Sequence, residues 1–198
     1  MNRRLFLAAT ASGVALVSSS RSAIAQDAAV AAQAHVRRIS DDVLALIRSS
    51  ASDAEKRITF MSMMDQNANM RQIAGFALGR YARTMPESLK PRYIEAFKRF
   101  VAATYVSRFS EYTGETIDVG SARPLNKGYS VETTLNRGSQ PPFSVRWELS
   151  DRSGQLLVDD FVIEGISMAM SQRGEFTNLI TSYGGDLEKF VQYLESRG

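Results

Sequence analysis

The spacing of apolar residues along the chain changes twice, from helical to alternating and back to helical. Before Gly114, apolar positions recur at steps of three and four, which is typical of amphipathic helices. This spacing predicts four helices, over residues 27–48, 53–67, 70–84 and 86–112. The fourth predicted helix carries one wide aromatic stripe, and such a stripe is suited either to a solid core or to the wall of a groove.

After Gly114, apolar and polar residues alternate, which predicts strands over residues 115–119, 129–136, 143–150 and 155–164. Short turn signals such as Asn126-Lys127-Gly128 separate them and favour an antiparallel meander with one apolar face. Two further helices are expected over residues 167–183 and 186–196. The pattern therefore predicts one α+β domain, with helices packed over one face of a curved antiparallel four-stranded meander.

The first 25 residues have the three parts of a secretory signal. Arg3-Arg4 is the basic start, residues 5–17 are mostly apolar, and Ala23-Ile24-Ala25 is a cleavage site. The paired arginines also fit the twin-arginine export pattern, and an ordinary Sec signal is the alternative. We therefore expect export with a cleaved signal peptide, and a single soluble periplasmic domain over residues 26–198.

Removal of this signal changes the charge of the protein. The full chain has 24 basic and 21 acidic residues, a formal net charge of +3. The signal takes away Arg3, Arg4 and Arg21 and no acidic residue, so 21 basic residues remain against 21 acidic ones. A neutral protein argues against a nucleic-acid partner, because phosphate binding needs a basic face. The chain contains no cysteine, so its core must be stable without disulfides.

Few residues offer catalytic or metal chemistry. His35 is the only histidine, and a triad or a zinc site would need partners that the sequence does not supply. Asp159, Asp160 and Glu164 form an acidic cluster near a strand end, but neighbouring strand residues point to opposite faces, so Asp159 and Asp160 should not share a site. We expect this cluster to pair with arginines instead: Arg146, Arg152 or Arg173.

The methionines are concentrated in two segments, at Met61, Met63, Met64 and Met70 and at Met168 and Met170. Methionine is flexible and polarisable, so it suits a surface that accommodates varied apolar ligands. The same property lets methionine fill gaps in an ordinary core, and the sequence leaves both interpretations open.

One stretch, residues 158–176, carries a family resemblance. It holds Asp160, Glu164-Gly165-Ile166-Ser167, Arg173 and Phe176 at the spacing of the MlaC, or toluene-tolerance, signature, and so resembles that family. Trp147-Glu148-Leu149 is similar to the family pattern upstream. The resemblance implies a periplasmic phospholipid carrier with no catalytic residue and no cofactor. It also implies partners: an outer-membrane lipoprotein complex, and an inner-membrane ABC transporter with a substrate-binding ring protein.

The lipid class stays open. Many family members carry an aromatic residue where this chain has Gln172, and the Gln172-Arg173 pair resembles a branch associated with hopanoid biosynthesis. Exposing one acyl chain of about fifteen methylenes to water costs roughly 12 kcal/mol, so a carrier must shield the tails. Two chains would need a cavity near the upper end of the roughly 300–1,000 Å³ range of ligand pockets. The resemblance places such a lipid cavity between the helices and the sheet.

Ten apolar residues are candidates for the lipid-facing wall, although each could instead belong to a sealed core. They are Phe97, Val101, Tyr105, Val131, Val145, Trp147, Phe161, Ile163, Met168 and Phe176. Arg173 is the candidate head-group ligand, and its alternative role is an ion pair that fixes helix to sheet. No catalytic residue, metal site or cofactor is expected.

Two other functions remain to be compared with the carrier. A small-pocket enzyme of isomerase or dehydratase type would need a His–Asp or Tyr–Asp pair converging in the cavity. A non-catalytic adaptor of the cell envelope would have a filled core and an exposed apolar patch instead of a cavity.

Overall fold

The computed structural model describes residues 15–112, 114–152 and 154–198. The basic start of the predicted signal and most of its apolar run lie outside these residues. Helix α1 (Ala15–Arg48) crosses the expected cleavage point after Ala25. No helix within the described residues is long and apolar enough to cross a membrane.

The described residues form six α-helices and five strands, in the predicted order apart from a fifth strand that the sequence did not predict. After α1 come α2 (Asp53–Asn67), α3 (Met70–Ala77) and α4 (Lys90–Val106), then the sheet, then α5 (Met168–Ser182) and α6 (Leu187–Glu195). Ser52 and Glu55 form a reciprocal capping box at the start of α2, which satisfies two backbone donors. Asp186 caps α6 by accepting a hydrogen bond from the Lys189 backbone N–H.

Two predicted helices are shorter than expected. The third ends at Ala77 and continues as a 3₁₀ turn, because Gly79 adopts a left-handed backbone with φ of 55°. The fourth begins at Lys90 with Pro91 in its first turn, whereas Pro86 lies in a preceding turn whose carbonyl accepts from the Leu89 and Lys90 N–H groups.

The sheet is the predicted antiparallel meander, in the order β1-β2-β3-β4-β5. Its strands are β1 (Thr116–Leu125), β2 (Gly128–Arg137), β3 (Gln140–Arg152), β4 (Gln155–Ile163) and β5 (Ile166–Ser167). The four long strands confirm the expected sheet, and the two-residue β5 is an addition at its edge. The segment between α2 and α3 covers part of the β4 edge, where the Asn69 N–H donates to the Val158 carbonyl at 2.9 Å.

Two main hydrophobic clusters lie on either side of a gap. The first is helical and is built around the buried aromatic rings of Tyr93, Phe97, Phe176 and Phe190. The second joins α1 to the apolar face of the sheet, with Val36 and Ile39 of α1 packed near Val131, Trp147, Leu149 and Val158. The gap between these clusters is where α1 to α4 face β3 and β4.

Candidate functional site

A cavity of about 290 Å³ lies between the two clusters and opens to solvent. Its walls come from α1, α2, α3 and α4 on one side and from β1, β3, β4 and the start of α5 on the other. Its lining is largely apolar, and no Lys, Arg or His is among the described residues that line it. The volume lies at the low end of the range for ligand pockets, below our expectation for two acyl chains.

Eight of the ten candidate wall residues line this cavity. They are Phe97, Val101, Tyr105, Val145, Trp147, Phe161, Ile163 and Met168. The strand register explains the sheet members, because Val145 pairs with Ile163 and Trp147 pairs with Phe161, so all four side chains lie on one face. Val162 between them is buried and does not line the cavity.

Val131 and Phe176 do not line the cavity, although the sequence placed them in its wall. Val131 lies on the same sheet face as Trp147, but it is fully buried in the cluster that α1 forms with that face. Phe176 lies one layer behind Phe97, with their rings edge to face and 5.9 Å between centroids. Both side chains therefore belong to solid core, which the sequence analysis had kept as their alternative.

The sequence analysis missed the contribution of the first three helices. Their lining residues are Ile39, Ser40, Val43, Phe60, Met63, Met64, Asn67, Ala68, Met70 and Ile73. Part of this set carried a readable signal, because four of the six clustered methionines (Met63, Met64, Met70 and Met168) line the cavity. Their flexible side chains suit a wall that must fit varied apolar surfaces.

A β-bulge places two consecutive aspartates on the cavity wall. The β3–β4 register pairs Glu148 with Asp160 and Leu149 with Val158, so Asp159 is the extra residue. Both Asp159 and Asp160 line the cavity, and the expectation that they could not share a site is wrong. That expectation assumed regular alternation, which the bulge interrupts.

Asp160 connects β4 to the start of α5 through hydrogen bonds. Its carboxylate accepts hydrogen bonds from the backbone N–H groups of Phe161 and Ala169, both at 2.8 Å, and from the Ser167 hydroxyl. Ser167 in turn caps α5 by accepting from the Met170 N–H at 3.0 Å. The Asp-and-Ser part of the signature is thus a structural motif that holds helix to sheet.

The expected pairing of the acidic cluster with arginines is wrong. Glu164, with φ of 48°, accepts hydrogen bonds from the backbone N–H and the hydroxyl of Ser144. Arg146 instead approaches Glu148, and Arg152 donates to Gln72.

Arg173 does not line the cavity. Its guanidinium lies over the ring of Phe76, 5.1 Å from the centroid, and its side chain packs closely against Gly79. It forms no ion pair with Asp160 or Glu164 among the described residues. The neighbouring Gln172 lines the cavity instead and donates to Glu175 at 3.2 Å.

A polar spot lies at the closed end of the cavity. Ser40 is 2% exposed and Asn67 is 6% exposed, and the Ser40 hydroxyl has no hydrogen-bond partner among the described residues. The Asn67 amide donates to the Met63 carbonyl and accepts from Arg38 at 2.6 Å. Next to Arg38, partial burial and then the positive guanidinium lower the pKa of His35.

Tyr105 and Asp160 both line the cavity, but three donors already satisfy the Asp160 carboxylate. Burial raises the pKa of Tyr105, so its hydroxyl stays protonated at neutral pH and cannot act as a base. The described residues also contain no group of three or more His, Cys, Asp or Glu side chains that could hold a metal ion.

An apolar cavity between helices and a meander is the arrangement that the family resemblance implies. Residues 37–196 match the family model described as MlaC protein. The chain belongs to the MlaC family.

This MlaC family member is similar to one curated protein and to one solved structure. It is 25% identical over 115 residues to the toluene tolerance protein ttg2D of Pseudomonas putida, covering 57% of this chain and 53% of the relative. The chain thus spans about half the length of that curated relative.

A solved structure confirms the fold. It is that of a phospholipid-binding protein from Ralstonia solanacearum in complex with a phospholipid. The TM-score is 0.70 at 22% identity, over 83% of this chain and 95% of the other. The α+β architecture expected from the sequence is therefore confirmed.

Proposed function

We propose that the protein is a non-enzymatic carrier that binds the acyl chains of phospholipid in its cavity. The single observation that supports this most strongly is the apolar lining, to which the helices and the sheet both contribute and which contains no cationic side chain. The Ralstonia solanacearum protein of the same fold binds a phospholipid, and family membership points in the same direction.

The energetics favour a carrier. Removing an acyl chain from a membrane into water costs about 0.8 kcal/mol per methylene, so the cavity must replace most of that apolar contact. The eight wall residues predicted from the sequence are proposed to supply it. Tyr105, at 40% exposure, marks the solvent side, so the tails would point towards Trp147 and Phe97 at the buried end.

We further propose where the carrier works. Export by the signal over residues 1–25 would place residues 26–198 in the periplasm, where lipid would pass between an outer-membrane lipoprotein complex and an inner-membrane ABC transporter. Family membership supports this route. The N-terminal sequence of the protein recovered from a periplasmic extract tests it: a chain starting at Gln26 is expected, and an uncleaved cytoplasmic chain would contradict it.

Lipid loading tests the carrier function itself. The protein purified from a bacterial host should release phospholipid on organic extraction, as measured by mass spectrometry, and should take up lipid again from vesicles. Recovery of a hopanoid in place of phospholipid would show that the ligand belongs to a different lipid class. A preparation that is empty and takes up nothing would contradict the proposal.

A pair of arginine substitutions locates the binding wall. Val145→Arg places a charge in the cavity lining and should abolish loading, whereas Val30→Arg changes an exposed residue of α1 and should not. Far-UV spectra of both variants check that folding survives. Undiminished lipid in a folded Val145→Arg protein would show that the tails lie elsewhere.

A further inference from the structure

Asp159 has unused hydrogen-bond acceptor capacity in the lining of the cavity. It lines the cavity and is half-buried, and its described hydrogen bond is with Asn69, whose side-chain N–H donates to one carboxylate oxygen at 3.2 Å. A carboxylate has about four acceptor positions, so most of its capacity is open. Among the described residues, no cation forms an ion pair with it.

Asp159 is the inserted residue of the β-bulge and lies among the residues that line the cavity. Asp160 differs, because the start of α5 already uses its oxygens. The nearest described cation in this hydrogen-bond network, Arg152, is two side chains away, donating to Gln72, which accepts from Asn69.

Gln172 adds a second acceptor to the same lining. Its amide nitrogen donates to the Glu175 carboxylate, which fixes the orientation of the amide and leaves its carbonyl oxygen without a donor among the described contacts. The lining therefore presents two hydrogen-bond acceptors, the Asp159 carboxylate and the Gln172 carbonyl oxygen. A ligand group that carries several N–H donors and a positive charge is the chemical complement of such a lining.

We propose that Asp159, with Gln172 in the same lining, binds the primary ammonium of an aminophospholipid head group. This inference rests on the proposed function, because the head group comes to the cavity with the acyl chains that the cavity binds. Selection would be both attractive and repulsive: the carboxylate stabilises an ammonium and disfavours a lipid whose only charge is its phosphate.

Competitive loading tests this inference. The purified protein is incubated with vesicles of equal phosphatidylethanolamine and phosphatidylglycerol with identical acyl chains, then re-isolated and extracted. We expect phosphatidylethanolamine to be enriched about fivefold over its share in the vesicles, the effect of one partly exposed charge-assisted hydrogen bond. An unenriched ratio in the native protein would overturn the proposal.

Two variants distinguish an effect of the Asp159 carboxylate from an effect of the net charge of the protein. Asp159→Asn should lose the enrichment, whereas Asp41→Asn, an equal charge change at an exposed position of α1, should keep both the enrichment and the total lipid per protein. Enrichment that survives in Asp159→Asn would contradict the proposal, and Asp159→Ser provides the same test if the amide variant does not fold.

A third lipid and the total loading complete the design. Phosphatidylcholine in place of phosphatidylethanolamine should be enriched less, because a trimethylated nitrogen has no N–H to donate, and equal enrichment would overturn the hydrogen-bonded ammonium. A protein that takes up no lipid from any vesicle would contradict the carrier function, whereas loading without preference would contradict only the role of Asp159.

Discussion

Trp147 and Phe161 lie opposite each other on β3 and β4 with their rings edge to face and their centroids 4.8 Å apart. The indole N–H donates to the Thr133 hydroxyl at 3.0 Å, so Trp147 presents an apolar surface to the cavity without a buried unsatisfied donor. This aromatic pair forms the sheet side of the wall. Phe161 is half-buried, whereas Trp147 is buried like the aromatic core residue Phe176.

The difference in burial predicts different costs for two phenylalanine truncations. Phe176→Ala removes a ring that is 2% exposed and packed against Phe97, Phe100 and Phe190, and should lower the free energy of unfolding by about 3–5 kcal/mol. Phe161→Ala removes a half-buried ring beside an existing cavity and should cost less than half as much. Urea unfolding followed by circular dichroism measures both, and equal costs would show that Phe161 is sealed core.

The period of two predicts which side chains of one strand share a face, but the sequence left open which face of β4 lines the cavity, and the strand register decides it. Val145, Trp147, Phe161 and Ile163 lie on one face for that reason. Val131 lies on this face too, and its exclusion from the cavity depends on α1, which packs over that part of the sheet. The sequence pattern of α1 does not determine where the helix crosses the sheet.

Two further expectations were wrong because they depend on local structure that the sequence pattern does not show. No residue pattern marks Asp159 as an inserted strand position, so the alternation rule placed Asp159 and Asp160 on opposite faces, although both line the cavity. Arg173 is a candidate head-group ligand from the sequence because a guanidinium suits phosphate, and pairing with Asp160 or Glu164 is the alternative. Its actual position over Phe76 depends on how α5 packs against α3, which is tertiary information.

Two serine-to-alanine substitutions should have opposite effects on stability. Ser40 has a buried hydroxyl without a described partner inside α1, so Ser40→Ala should be neutral or raise the free energy of unfolding by about 0.5–1 kcal/mol. Ser167→Ala removes the α5 cap and should lower it by about 1 kcal/mol. Chemical denaturation checks the pair, and a marked loss in Ser40→Ala would reveal a hydrogen bond that this account lacks.

The two aspartates of the bulge should also separate in a stability measurement. Asp160→Asn weakens charge-assisted hydrogen bonds to Ser167 and to the first turn of α5, and we expect a loss of about 1–3 kcal/mol. Asp159→Asn keeps an oxygen that can accept from Asn69, and should stay within about 0.5 kcal/mol of the native protein. Thermal unfolding at neutral pH compares them, and the reverse order would contradict the roles assigned here.

His35 should make the protein less stable in mild acid. Burial, and then Arg38, lower the folded-state pKa below the ordinary 6.5, so between these two values the unfolded chain binds more protons. Stability therefore rises with pH through that window and levels off above 6.5, where the histidine is neutral in both states. His35→Gln should flatten this part of the profile. A native and a variant profile that remain parallel from pH 5 to 7 would refute the assignment.

A larger side chain in the cavity should reduce lipid uptake and leave thermal stability unchanged or higher. Val145 lines the cavity, so Val145→Phe can place its extra atoms in space that protein atoms do not occupy, and we expect unchanged or higher thermal stability with reduced lipid uptake. Val131 is the matched control on the same sheet face, because it is fully buried and packed. Val131→Phe should overpack the core and cost about 1–3 kcal/mol. Melting temperatures and lipid per protein, measured on both variants, distinguish a carrier from a protein with a filled interior. If Val145→Phe were as destabilising as Val131→Phe, the space beside Val145 would not be available to acyl chains either.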